Sequence, residues 1–225
     1  MHSRNLFVFL ALVTAAILPI QPASAEDKAS VLAKLDASAK GFHTASATVE
    51  FDSILTDPVP DKDVMTGIAY YERNSHFEMA AHITAHIVDG KSHPTEKAYI
   101  FSGGTLRFSD TGKEIDAKPY SEASKYESYL MLGFGASGKD LEEKWTIKYI
   151  GKETIDGIST DKLELIAKDP NVLKLFRKVT IWLDTARAVS LKQVFDQGDG
   201  QSRVCTYTDI KVNQPLPKTA FSFDK

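Results

Sequence analysis

The chain has 225 residues, with 27 basic and 30 acidic side chains, a formal net charge of −3 and a single cysteine. A mildly acidic balance of this kind offers no case for nucleic-acid binding. One cysteine permits no intramolecular disulfide, so packing alone must hold the fold, and the length suits one domain with a sizeable core.

Residues 1–25 read as an export signal. Arg4 is the only formal charge before Glu26, residues 6–18 are apolar except for Thr14, and Ala23-Ser24-Ala25 fits a small-residue cleavage site. A membrane span needs about 20 apolar residues, and Pro19, Gln21 and Pro22 break the run too early. The mature chain is expected to begin at Glu26 and to form a single domain over residues 26–225, with 26 basic against 30 acidic residues, or −4. No cysteine lies just after the apolar segment, so lipid anchoring through an N-terminal cysteine is not expected.

Along residues 27–40, Val31, Leu32, Leu35 and Ala39 recur at helical spacing, and Gly41 is a stop signal. The period then changes. Ala45, Ala47, Val49 and Phe51 alternate with Ser46, Thr48 and Glu50, which predicts a strand with one wet face, and residues 57–61 form a turn. Further strands are predicted at about 64–73, 76–87, 97–102, 105–109 and 113–118. A helix follows over 121–132, and the glycine-rich run 133–138 breaks it. Strands resume at about 144–150, 152–155, 160–167, 178–184, 188–196 and 202–212, with a short helix at 171–176 after Pro170. Short polar connections make neighbouring strands antiparallel. Three short helices cannot cover a flat sheet of about twelve strands, so the sheet either closes into a barrel or carries helices that cap an apolar hollow.

The ordered set of segments resembles the LolA-like periplasmic lipoprotein carriers across essentially the whole mature chain. The pieces that carry the likeness are Gly67-Ile68-Ala69-Tyr70-Tyr71-Glu72-Arg73, Ser102-Gly103-Gly104-Thr105-Leu106-Arg107-Phe108 and Leu130-Met131-Leu132-Gly133-Phe134-Gly135, followed by Val179-Thr180-Ile181-Trp182-Leu183-Asp184 and Leu216-Pro217-Lys218-Thr219-Ala220-Phe221. The resemblance implies an α+β fold, an incomplete antiparallel β-barrel (a half-barrel) with helices forming a lid over a hydrophobic cavity. It implies a periplasmic carrier, not an enzyme, that shelters the acyl chains of lipoproteins or related lipids. Such a carrier receives cargo from an inner-membrane extraction complex and passes it to an outer-membrane acceptor, acting as a monomer with no cofactor and no metal. Because each buried methylene is worth about 0.8 kcal/mol, a long acyl chain needs such shelter to cross water. A lipid- or lipoprotein-sensing regulatory protein on the same scaffold is the alternative, although a sensor would ordinarily carry a second domain for its partner.

In these carriers an arginine at the end of the second strand hydrogen-bonds to the helical lid. Arg73 is similar to it, and Phe77 to a phenylalanine near the cavity mouth, while Asn74 stands where a proline is usual. From spacing alone Arg73 reads first as a solvated turn residue, the common case for an arginine, and the resemblance is what raises the lid-binding role beside it. The residues expected to meet cargo are Arg73, Phe77, Met79, Leu106, Phe108, Tyr126, Leu130, Leu132, Phe134 and Trp182. Aromatic residues among them suit a filled core as well as a cavity wall, and Met65, Met79 and Met131 suit an adaptable lining or ordinary gap filling. The segment 83–97 is longer than in typical carriers.

His82 and His86 are four apart, but on a strand that spacing spans roughly 13 Å, too far for one zinc ion. Position 83 is isoleucine, where a zinc-protease helix needs glutamate. Neither a Gly-x-Ser-x-Gly nucleophile elbow nor a phosphate-binding loop occurs, and Cys205 reads as a small packed residue in an alternating strand.

Overall fold

The computed structural model of the chain describes residues 27–74, 76–118 and 132–223. The export signal and nearly all of the helix expected over 121–132, with Tyr126, Leu130 and Met131, lie outside the described residues.

Helix α1 (Lys28–Ala39) starts where Asp27 accepts a hydrogen bond from the Ser30 N–H at 2.8 Å, and it buries Val31, Leu32 and Leu35. A meander of six strands follows: β1 (Thr44–Leu55), β2 (Asp61–Arg73), β3 (Phe77–Val88), β4 (Lys91–Ser102), β5 (Thr105–Asp110) and β6 (Lys113–Lys118). After α2 (Gly138–Lys144) come β7 (Trp145–Ile155), β8 (Ile158–Ala167), the single turn α3 (Pro170–Leu173), β9 (Lys178–Asp184), β10 (Val189–Gly198) and β11 (Gln201–Val212). Strand β11 returns to pair with β1, so one antiparallel sheet runs β6-β5-β4-β3-β2-β1-β11-β10-β9-β8-β7. The sheet is open at β6 and β7. Inward residues from both halves, such as Tyr71, Phe101, Leu163 and Tyr207, nevertheless share one core with α1 and α2. This is the expected half-barrel.

Four details differ from expectation. Among the described residues the strands number eleven. The pieces read at 144–150 and 152–155 are one strand, β7, carrying a bulge between Tyr149 and Gly151. Strand β4 begins at Lys91, so the longer segment is an extended β3–β4 hairpin, with Pro94 opposite Ala85 beside a register shift. Helix α2 was not anticipated. It starts on a reciprocal capping box, in which the Ser137 hydroxyl accepts from the Asp140 N–H and the Asp140 carboxylate accepts from the Ser137 N–H.

Alternation along the strands sets two faces. On the concave side, Ala45, Ala47 and Val49 of β1, Leu163 and Leu165 of β8, and Val179, Ile181 and Leu183 of β9 join the main core. On the convex side, Tyr70, Ala80, Ala98 and Ile100 form a second cluster, closed by Phe221 and Phe223 of the C-terminal segment. His82 donates to the Ala220 carbonyl at 2.8 Å, which holds that segment down, whereas His86 pairs with Asp63.

Candidate functional site

The concave interior is built around the run 132–136, which crosses it as irregular backbone held from two sides. On the β10 side, the Ser190 N–H donates to the Gly133 carbonyl, the Gly135 N–H donates to the Ala188 carbonyl at 2.8 Å, and Phe134 makes an isolated bridge with Val189. Gly133 and Gly135 both adopt left-handed backbone, with φ of 80° and 67°. Neither position has room for a side chain: a Cβ on Gly133 would lie 2.4 Å from the Ser190 Cβ, and one on Gly135 would lie 2.3 Å from the Phe42 ring.

From the β2 side comes Arg73. Its guanidinium donates to the Gly135 carbonyl and, at 2.7 Å, to the Asp140 carboxylate. Arg73 is the last residue of β2, so its backbone is fixed by the sheet while its fork reaches a loop carbonyl and a helix-capping carboxylate together. Burial acts to raise the Asp140 pKa, but the Ser137 N–H, the Arg73 guanidinium and the Ser137 hydroxyl outweigh it and hold the carboxyl below the usual carboxylate range. Helix α2 is also tied to α1, through the Lys139 N–H to Asp36 at 3.1 Å and the pair Lys28–Glu142 at 3.0 Å.

Between these ties Phe134, fully buried, fills the centre. It stacks on Tyr71 with ring centroids 3.8 Å apart and planes 3° apart, and meets Tyr207 edge-on at 4.8 Å. Behind it runs a buried polar chain. The Tyr71 hydroxyl donates to the Tyr207 hydroxyl at 3.3 Å, and that hydroxyl donates to the Gln193 amide oxygen at 3.4 Å. The Gln193 amide nitrogen donates to the Leu132 carbonyl. Burial raises the pKa of both phenols well above the ordinary tyrosine value, so they remain neutral donors. Cys205, beside them in the core, has its thiol pushed up to about 12 by burial and is not a thiolate nucleophile at neutral pH.

Of the residues expected to meet cargo, the structure brings Phe77, Met79, Leu106, Leu132 and Phe134 into one buried cluster, with Phe108 packed against it. Arg73 stands at its rim, 28% exposed at the side chain. Trp182 does not join them. Ile181 and Leu183 point inward, so Trp182 points out of the convex face, where Lys162 and Lys192 sit 4.6 and 5.2 Å from its ring centre. Both lysine side chains lie across its ring, in keeping with its low exposure. Residues that sequence reasoning missed are Asp140, Gln193 and Tyr207. Asp140 was detectable from its spacing after Ser137, whereas a glutamine on an alternating strand gives no sign that it will be buried.

A cavity of about 210 Å³ also touches Tyr207, with Ile158, Leu191, Ile210, Arg187 and Asp209 among its walls. It is smaller than the roughly 300–1,000 Å³ of typical ligand pockets.

No family model and no curated protein matches the chain. Solved structures do. An uncharacterized conserved protein from Thermus thermophilus is 10% identical, with 86% of this chain and 91% of that one covered at a TM-score of 0.51. The likeness is one of fold. A LolA superfamily protein from Nitrosomonas europaea is 16% identical over 88% of this chain and 98% of that one, at a TM-score of 0.40. The lipoprotein LppX from Mycobacterium tuberculosis is 17% identical over 84% and 98%, at 0.47.

Proposed function

We propose that the protein is a periplasmic carrier that shelters the acyl chains of lipoproteins, or of related lipids, inside its half-barrel. It accepts cargo from an extraction complex at the inner membrane and yields it to an acceptor at the outer membrane. Burial of the chain, without bond making, is the work to be done. The observation that carries this reading is the pair of hydrogen bonds from Arg73 to Gly135 and Asp140, made from the sheet to the segment that covers the apolar interior.

A closure of that kind is the arrangement a reversible shelter needs. Arg73 favours the covered state through a few polar bonds at the rim, and cargo shifts the balance by offering apolar contacts in the uncovered state. The alternation that makes the concave face apolar from β1 to β11 supplies the lining. The sequence resemblance supplies the class of cargo, and the signal-like residues 1–25 supply the compartment. LolA superfamily and lipoprotein names among the structural neighbours accord with it.

The test is a two-stage assay: loading from inner-membrane vesicles, then transfer to outer-membrane acceptor, with mass spectrometry of whatever remains bound after purification. Acyl-bearing cargo, loaded and then passed on, is the expected result. Purified protein that takes up no acylated molecule from the vesicles would overturn the reading.

A further inference from the structure

We propose that Gln193 is a carbonyl-reading donor inside the acyl site, and that the covered protein satisfies it with its own Leu132 carbonyl. The inference rests on the acyl-chain reading above and names which chains the site prefers: those joined through an ester or amide, over ether-linked or bare alkyl chains.

Gln193 is 3% exposed on the concave face of β10, with the apolar Phe195, Ile181 and Val179 of the main core on the same face. A primary amide in such a place is costly unless its hydrogen bonds are made. Both ends are occupied. The oxygen takes the Tyr207 hydroxyl, whose own acceptor role is filled by Tyr71, and the nitrogen donates to Leu132. The backbone carbonyl of Leu132 can only accept, so the amide nitrogen faces it and the oxygen faces the phenol.

The two partners differ in permanence. Tyr71 and Tyr207 belong to paired strands, β2 and β11, on either side of β1. Leu132 belongs to the irregular run that also carries Phe134, and the ring of Phe134 fills the space between the two tyrosines. An acyl chain entering there takes the place of Phe134, and the left-handed glycines on each side of it allow the run to turn away as a unit. When the run leaves, Gln193 keeps Tyr207, which donates to its amide oxygen, and loses the Leu132 carbonyl, which accepts from its amide nitrogen. The wall is then apolar apart from the two tyrosine hydroxyls, which stay paired, and the unpaired amide nitrogen of Gln193. An ester or amide carbonyl at the head of an acyl chain restores the lost bond while the first methylenes occupy the slot of Phe134. An ether oxygen is a poorer acceptor, and a bare alkyl chain leaves the donor unmade.

The experiment uses the full chain, a bound hydrophobic fluorophore, and displacement by dihexanoyl phosphatidylcholine or by its dihexyl ether counterpart, each as a monomer. The parent should bind the ester roughly tenfold more tightly than the ether, and Gln193→Met should bind the two alike. In addition, an ester carbonyl labelled with carbon-13 should shift to lower wavenumber in the infrared on binding to the parent, a readout that holds even if the Met variant fails to fold. Equal affinities in the parent, a preference that survives in Gln193→Met, or an unshifted carbonyl band would each overturn the assignment while leaving acyl binding intact. If neither lipid displaces the fluorophore from the folded parent, the acyl-carrier reading falls, and the role of Gln193 falls with it.

Discussion

The two faces of the sheet use the same residue types in different ways. On the concave face Tyr71, Phe134 and Tyr207 meet across three segments far apart in sequence, and the middle ring rides on a backbone run held by Arg73 and Gln193. On the convex face Trp182 lies under Lys162 and Lys192, its partners on the two neighbouring strands, and Tyr70 and Ile100 lie under the C-terminal segment. Trp182 and Ile100 are buried and Tyr70 is partly buried, and the C-terminal cover, like the concave run, is held by a few polar bonds, from His82 to Ala220 and from Arg107 to Phe221. Burial alone therefore does not mark a binding wall. What sets the concave set apart is that its cover carries a ring, Phe134, into the core against Tyr71 and Tyr207.

The largest effect should come from removing the left-handed glycine on which the cover turns. In Gly135→Val, a branched side chain at φ 67° would press on the Phe42 ring. Strain and overpacking together should cost about 3 kcal/mol or more. Urea unfolding checks this, and a variant as stable as the parent would mean that the run 132–136 is not held as described.

Next comes Arg73→Leu, which strips donors from the Gly135 carbonyl and the Asp140 carboxylate. The ion pair is part-exposed, so after discounting for solvent the loss should be about 1 kcal/mol. The fold should survive and the cover should open more often, while the added leucine holds the chain. Loading should persist and transfer to the acceptor should slow roughly fivefold. Loading and transfer both equal to the parent's would make Arg73 a solvated turn residue.

Trp182→Phe should sharpen the contrast between the faces. Loss of the lysine–indole contacts should lower stability by about 1 kcal/mol, while fluorophore affinity stays within about twofold of the parent, since the ring faces away from the interior. A large fall in affinity at unchanged stability would put Trp182 in the site after all.

The smallest effect is with pH. The Asp140 carboxyl is held below its ordinary value of 3.8, so its contribution is complete above that value and is lost only as pH falls through the lower folded value. Fluorophore binding should therefore be flat from about pH 8 to about pH 5 in so far as Asp140 governs it, with the cover loosening only below about pH 4. A titration of closure near neutral pH that disappears in Asp140→Asn would contradict the Arg73–Asp140 geometry.

The sheet was largely legible in the sequence because one wet face leaves a period of two, as in Ala45, Ala47 and Val49. It failed where the pattern had another cause. Residues 91–96 are polar and contain Pro94, so the extended hairpin gave no alternation to read. Helix α2 buries only Gly138 and Leu141, too few for a helical stripe, and its sole sign is the Ser137–Asp140 cap. Trp182 was misplaced because Ile181-Trp182-Leu183 looks like one apolar run, although the inward positions at 179, 181 and 183 already put 182 on the other face. Arg73 is singled out only through resemblance, since an arginine before Asn74 reads on its own as a turn residue. Gln193 could not be found at all, because its partners lie 14 and 61 residues away.

The most direct test of the central claim, that the concave interior of the folded protein takes an acyl chain, is displacement of a hydrophobic fluorophore by a triacylated lipopeptide. The folded parent should bind the dye, and the lipopeptide should release it at a stoichiometry of about one. Dye binding that appears only as the protein unfolds in urea would mean that the interior is a filled core and would contradict the account.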